Sequence, residues 1–214
     1  MKKDPTEDND TVPYWMSLDI ERAIGCFSGW AFPNDWGAMS MHGCCTGNAS
    51  RTIYWIRDSI LTREDDLVRV NLLMNRASTW LDVNSYLPYE GRIVLQIKAA
   101  KKVAVRIPPW TDSEEVTCTV GGRQCGYAWS GNYIVVDGLA KGDTVEIRFP
   151  MTTETVFKII AADTIYKLTG KGYTVVDIEP KGRICPLYCR DAYKADATPV
   201  KKVSRVISGK TIIW

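Results

Sequence analysis

The chain has 214 residues, 45% of them hydrophobic and 24% charged, which is enough apolar material for a sizeable buried core. A net charge of +2 is too nearly balanced for binding nucleic acid by phosphate neutralisation. No apolar run approaches a membrane span, and the charged residues after Met1 lack a signal-peptide pattern. Neither a nucleic-acid nor a membrane partner is expected; the chain as given is expected to lack a signal peptide and to be cytoplasmic, unless it belongs to a parent protein that is exported.

Residues 1–13 are polar and aperiodic, which predicts disorder. Tyr14 to Ile24 fits a short helix with Ser17 as a cap. Residues 25–43 are rich in Gly, Trp, Phe, Pro and Met without a regular period. A loop this aromatic is expected to line something rather than face water. A helix is expected from about Gly47 to Thr62, capped by Thr46 or Asn48, with Ile53, Ile56 and Ile60 on one face. The charge cluster Arg63-Glu64-Asp65-Asp66 stops it.

From Leu67 the pattern changes to β. Strands are predicted at 67–73, 93–99, 103–107, 116–120, 133–136 and 144–149. Turn residues separate them, at Glu90-Gly91, Pro108-Pro109, Gly121-Gly122, Ser130-Gly131-Asn132 and Lys141-Gly142-Asp143. Short strands at this spacing predict a mainly β fold with an antiparallel β-sandwich. After Pro150, strands are expected at 156–160, 164–168 and 173–178, with Lys171-Gly172 turning between the last two. The resulting division is a disordered 1–13, a helical segment 14–65, a β-sandwich 66–151 and a β-rich segment 152–214.

Seven cysteines, an odd number, make a poor disulfide framework, and most are expected to be reduced. Cys118 and Cys125 can face each other across a hairpin, and Cys185 and Cys189 lie in one segment. The adjacent pair Cys44-Cys45, just before the predicted helix, is the sharpest feature. A helix start lowers thiol pKa and favours thiolate, and zinc is the common ion best matched to thiolates. The competing reading is two buried, unreactive thiols. His42, the only histidine, lies two residues before the pair, and on its own it suits a hydrogen-bonding role.

The wider pattern carries more. Residues 27–36 (FSGWAFPNDW), 41–48 (MHGCCTGN), 67–78 (LVRVNLLMNRAS), 88–92 (PYEGR), 105–110 (VRIPPW), 185–191 (CPLYCRD) and Lys201-Lys202-Val203 together resemble glycoside hydrolase family 127. Its best-known members are β-L-arabinofuranosidases. The resemblance covers roughly residues 14–214. It implies that the N-terminal helical segment is the end of an α/α catalytic barrel, followed by antiparallel β-sandwich domains. It further implies a zinc ion held by a glutamate, a cysteine and the CC pair, with Cys44 as nucleophile and metal ligand and Cys45 as its zinc-binding neighbour. A separate glutamate is implied as acid/base. Retention of configuration through a glycosyl-thiolate would follow.

This sequence departs from the pattern ahead of Cys44, where no Glu-x-Cys ligand pair occurs. Glu21 and Cys26 are five apart and do not replace it. With ligands missing, zinc is expected only if upstream residues complete the site, and hydrolysis by this chain alone is not expected. Trp30, Asp35 and Trp36, with His42, are candidate sugar contacts, against a reading in which they brace the loop. Arg76 and Glu90 are a candidate ion pair. Three readings follow: the C-terminal portion of a zinc-thiolate retaining glycosidase, a non-catalytic carbohydrate-binding or accessory sandwich, and a structural or redox protein. The partners expected are carbohydrate, and either the upstream half or a second copy of the chain.

Overall fold

The structure, a computed structural model, describes residues 43–161 and 164–180. Helix α1 spans Gly43–Ser59. Eleven strands follow in the unit formed by residues 55–151: β1 (Leu61–Glu64), β2 (Leu67–Val70), β3 (Arg76–Ala77), β4 (Leu81–Ser85), β5 (Arg92–Ile97), β6 (Lys102–Arg106), β7 (Thr117–Val120), β8 (Arg123–Gln124), β9 (Ala128–Ser130), β10 (Tyr133–Val136) and β11 (Thr144–Arg148). They form a five-stranded sheet, β1-β2-β6-β10-β9, and a six-stranded sheet, β3-β4-β5-β11-β7-β8.

Period-2 burial explains why these two sheets belong together. Val68 and Val70 on β2, with Ile134 and Val136 on β10, are buried and alternate with half-buried neighbours. Leu81 and Val83 on β4, Ile93, Leu95 and Ile97 on β5, and Val145 and Ile147 on β11 do the same from the other sheet. All of them join one apolar cluster. The expected antiparallel sandwich is what forms. One pair departs from it: β2 and β6 run parallel, with Val68 opposite Val103 and Val70 opposite Val105. On β6, three successive residues, Val103, Ala104 and Val105, are all buried.

The expected strands at 67–73, 93–99, 103–107, 116–120, 133–136 and 144–149 all occur, trimmed or shifted by a few residues at their ends. The helix expected to reach Thr62 instead stops at Ser59, and Leu61–Glu64 is a strand. Leu61 is buried there, and β1 pairs with β2 from Leu61↔Val70 to Glu64↔Leu67. The charge cluster is therefore the end of β1, Arg63 and Glu64, followed by a two-residue hairpin turn at Asp65-Asp66, rather than a helix stop. Asp65 adopts the left-handed region, φ 52, which such turns require and aspartate tolerates. Gly121 and Gly122, at φ 58 and 79, make the equivalent turn between β7 and β8.

The other unit holds the first part of α1 and, among residues 152–180, a three-stranded antiparallel sheet of β12 (Thr153–Ala161), β13 (Thr164–Lys171) and β14 (Thr174–Glu179). These correspond to the three expected tail strands. Lys171 pairs with Thr174, and Gly172 in the turn has φ 55. Phe157, Ile159 and Ile165 share one exposed face, since Ile159 pairs with Ile165 and Phe157 lies two residues away on the same strand.

Gly91 is fixed by a close approach. Its carbonyl accepts from the Phe149 amide at 2.9 Å, and a Cβ there would fall 1.9 Å from the Phe149 carbonyl oxygen. Relief would require moving the end of β11 against β5. Gly91→Ala is therefore expected to destabilise the sandwich by about 3 kcal/mol, the upper part of the overpacking range, as read from the urea midpoint. A loss below about 0.5 kcal/mol, the range of ordinary surface substitutions, would contradict this contact.

Candidate functional site

Trp30, Asp35, Trp36 and His42 lie outside the described residues, as do Cys185 and Cys189. Cys44 and Cys45 are described in their backbone. The helix begins at Gly43, so the pair lies inside the first turn of α1 rather than ahead of it. The expected caps Thr46 and Asn48 are likewise inside the helix. The helix runs through Gly47, although glycine costs about 1 kcal/mol within a helix.

The first-turn position has an electrostatic consequence. Amide N–H groups at a helix start have no intrahelical acceptor, and they carry the positive end of the dipole. The first turn contains no acidic side chain to neutralise that end. Past the first turn, polar side chains bond back to the helix. Ser50 Oγ donates to the Gly47 carbonyl at 3.0 Å, Thr52 Oγ1 donates to that of Asn48 at 3.4 Å, and Arg51 donates to the Asn48 side chain.

The other end of the helix is tied into the sandwich by Asn71. Its amide Nδ2 donates to the Ser59 carbonyl at 3.1 Å and to Thr62 Oγ1 at 3.0 Å. Its Oδ1 accepts from the Tyr133 hydroxyl at 2.9 Å, and its backbone N–H donates to the Ile60 carbonyl at 2.9 Å. One side chain thus joins the last helical residue, β1 and β10. The sequence reading placed residue 71 inside a strand and gave it no role. An asparagine directly after the buried Val70 was the available clue.

The ion pair expected between Arg76 and Glu90 is replaced by another. Glu90 pairs with Arg92 at 2.9 Å, and Arg92 also approaches Glu146 at 3.8 Å while its guanidinium lies 3.5 Å over the Tyr86 ring. Arg76 has a buried Nε without a hydrogen-bond partner. Burial holds its pKa below the ordinary value, with Arg57 at the end of α1 adding to the depression and Asp58 opposing it. Trp80 packs against the core, as expected of a strand-side tryptophan, whereas Trp129 on β9 is 40% exposed and meets Tyr127 edge to face.

Zinc draws three or four ligands from a protein. Among the described residues no group of three or more His, Cys, Asp or Glu side chains is placed to hold a metal ion. The pair at 44 and 45 supplies at most two sulfur donors. The described residues therefore do not fit a zinc ion by themselves.

The class that the described residues define is a mainly β protein built on an antiparallel sandwich, preceded by an α-helix with adjacent cysteines in its first turn. Residues 68–151 match the family model for the GH127 middle domain of β-L-arabinofuranosidases. This span is the sandwich from β2 to the end of β11, so the likeness to a GH127 middle domain falls on the sandwich and covers less than half of the chain. No curated protein matches the chain. Similar solved structures include a protein named as a glycoside hydrolase, with 22% identity over 61% of this chain and a TM-score of 0.49. A GH127 β-L-arabinofuranosidase from Geobacillus stearothermophilus T6 has 20% identity over 64% and a TM-score of 0.49. A GH127 β-arabinofuranosidase has 21% identity over 64% and a TM-score of 0.47. The chain spans about a quarter of their lengths, 24%, 24% and 26%.

Asn71→Ala leaves the Tyr133 hydroxyl and the Ser59 carbonyl without their partner, and is expected to cost about 2 kcal/mol, as for lost partners of partly buried polar groups. Tyr133→Phe, which removes one of these bonds, is expected to cost about 1 kcal/mol. Urea titration of both variants and the double mutant checks this: costs that simply add would contradict a shared network.

Proposed function

We propose that the chain is the C-terminal portion of a β-L-arabinofuranosidase-like retaining glycosidase, with Cys44 as its nucleophile and the rest of the site contributed from outside this sequence. The observation that carries the reading is the match of residues 68–151 to the family model of the GH127 middle domain, preceded by a helix whose first turn holds Cys44 and Cys45. The chemistry suits that position. A thiolate held by the helix start attacks the anomeric carbon, the glycosidic C–O bond breaks, and the departing alcohol takes a proton from an acid outside the described residues. Water then attacks the same carbon, giving its proton to the conjugate base of that acid, and the carbon–sulfur bond breaks to return the thiolate. Zinc bound with Cys44 and Cys45 among its ligands is part of the proposal only with further ligands from the parent protein.

The surface of α1 supports an incomplete site. Ile53 and Ile56 are 57% and 39% exposed, in keeping with a helix that packs against more protein, either the upstream half or a second copy. The isolated chain is expected to self-associate in light scattering. A second reading, a carbohydrate-binding accessory sandwich, is favoured by the exposed Trp129, whose indole face suits stacking on a sugar ring. Glycan binding that needs Trp129 and occurs without hydrolysis by the parent protein would select it.

Release of nitrophenol from an aryl β-L-arabinofuranoside tests the main reading. The chain alone is expected to match the blank, whereas the parent protein turns over. Cys44→Ser in the parent is expected to lower kcat by about 10⁴-fold or more, as for loss of a covalent nucleophile. A parent protein that keeps its activity after this substitution would overturn the assignment of Cys44. Metal analysis of the parent and its Cys45→Ser variant checks zinc separately: about one zinc per chain is expected in the parent, well below one in the variant.

A further inference from the structure

Cys118 and Cys125 take no part in that function, yet among the described residues they are two thiols brought into contact. The β7–β8 ladder pairs Val120 with Arg123 and Thr119 with Gln124, which makes Cys118 and Cys125 the next rung. That rung is closed by the Cys125 N–H donating to the Cys118 carbonyl at 3.1 Å. The two sulfurs lie 3.1 Å apart. Directly opposed residues of antiparallel strands have Cα atoms about 4.5–5.5 Å apart, within the range a disulfide spans without moving the backbone. Gly121 and Gly122 hold the turn that sets this register.

The geometry points to Cys118 and Cys125 as a dithiol that closes into a cross-strand disulfide by exchange with a small-molecule disulfide such as oxidised glutathione. The two sulfurs differ in access, which orders the steps. Cys118 is 1% exposed and belongs to the core, whereas Cys125 is only partly buried. The Cys125 thiolate attacks one sulfur of the reagent, the reagent's S–S bond breaks, and its other half leaves as a thiolate that takes up a proton. Cys118 then loses its proton to solvent, its sulfur attacks Cys125 Sγ, and the second half of the reagent departs as a thiol. Two protein thiols have lost two electrons, and one small disulfide has become two thiols.

Burial raises the Cys118 thiol well above the ordinary thiol range, with its hydrogen bond to Cys125 adding to this. Cys118 therefore reacts once its neighbour has presented a mixed disulfide within contact distance, not with reagent from solution. The product fastens β8, a two-residue strand at the edge of the six-stranded sheet, to β7. An oxidising environment would staple this edge and a reducing one would leave it open.

Trypsin reads the link without ambiguity, because Arg123 separates the two cysteines. Peptides 107–123 and 124–141 then carry one cysteine each. The full chain is incubated with oxidised glutathione, quenched with acid, alkylated and digested. The expected product is the two peptides joined, lighter by two hydrogens than their sum, with a higher unfolding midpoint than the reduced protein. Cys125→Ser is expected to give neither effect while keeping the circular dichroism of the parent chain; Cys125→Ala serves if the serine fails to fold. Recovery of the folded wild-type protein with these peptides unlinked, alkylated or holding glutathione, would overturn the proposal. Either cysteine joined to a different one would do so as well.

Discussion

Two sheets can share one apolar layer only if every strand keeps its inward residues in step, and the structure is built around this constraint. Leu81, Ile93, Leu95, Ile134 and Ile147, together with Val68, Val70, Val83, Val103, Val105, Val136 and Val145, are almost wholly buried. Each such side chain contributes about 1.5–3 kcal/mol by leaving water. A slip of one residue would turn a strand's whole set outward. The layer therefore fixes register, and register fixes where each polar residue lands. The rung that brings Cys118 against Cys125 follows from it, since Cys118 belongs to the buried layer. So does the place of Asn71, one residue beyond the buried Val70.

Around the edge of that layer, single polar side chains satisfy the backbone where strands end. Asn71 does this for the last residue of α1, and its amide also bonds the Thr62 hydroxyl on β1. Ser78, itself buried, donates from Oγ to the Leu81 carbonyl at 2.6 Å and accepts from the Leu81 amide at 3.0 Å. Lys98 reaches the Ser78 carbonyl at 3.0 Å and Asp82 at 2.7 Å. Buried backbone groups left without such partners cost more than an ordinary hydrogen bond returns. These contacts hold the strand ends that a short-stranded sandwich depends on. Arg92 is held in a similar way, stacked on Tyr86 between Glu90 and Glu146.

The long apolar strands were legible because their period of 2 is carried by several residues in a row, as in Ile93, Leu95 and Ile97. Strand β4 was not legible: it has two inward residues, Leu81 and Val83, set among Asp82, Asn84 and Ser85, and tertiary pairing rather than local pattern makes it a strand. The two-residue strands β3 and β8 fall below any periodic signal. At Asp65-Asp66 the same charges suit a helix end and a hairpin turn, and pairing of Leu61 with Val70 decided for the turn. The adjacent cysteines could be read as a helix-start feature. Their inclusion in the first turn could not, because Thr46 and Asn48, both good caps, placed the start after the pair. The pairing of Glu90 with Arg92 instead of Arg76 depended on the turn before β5, which sequence spacing does not encode.

The proposal that a thiolate at position 44 forms a covalent bond to sugar can be tested by mass. The parent protein is quenched in acid during turnover of an aryl β-L-arabinofuranoside, digested, and the peptide containing Cys44 and Cys45 is fragmented. The account predicts one pentosyl group on the Cys44 sulfur that disappears when substrate is exhausted. A parent protein that turns over substrate with no sugar on this peptide, or with the sugar on a carboxylate elsewhere, would contradict it.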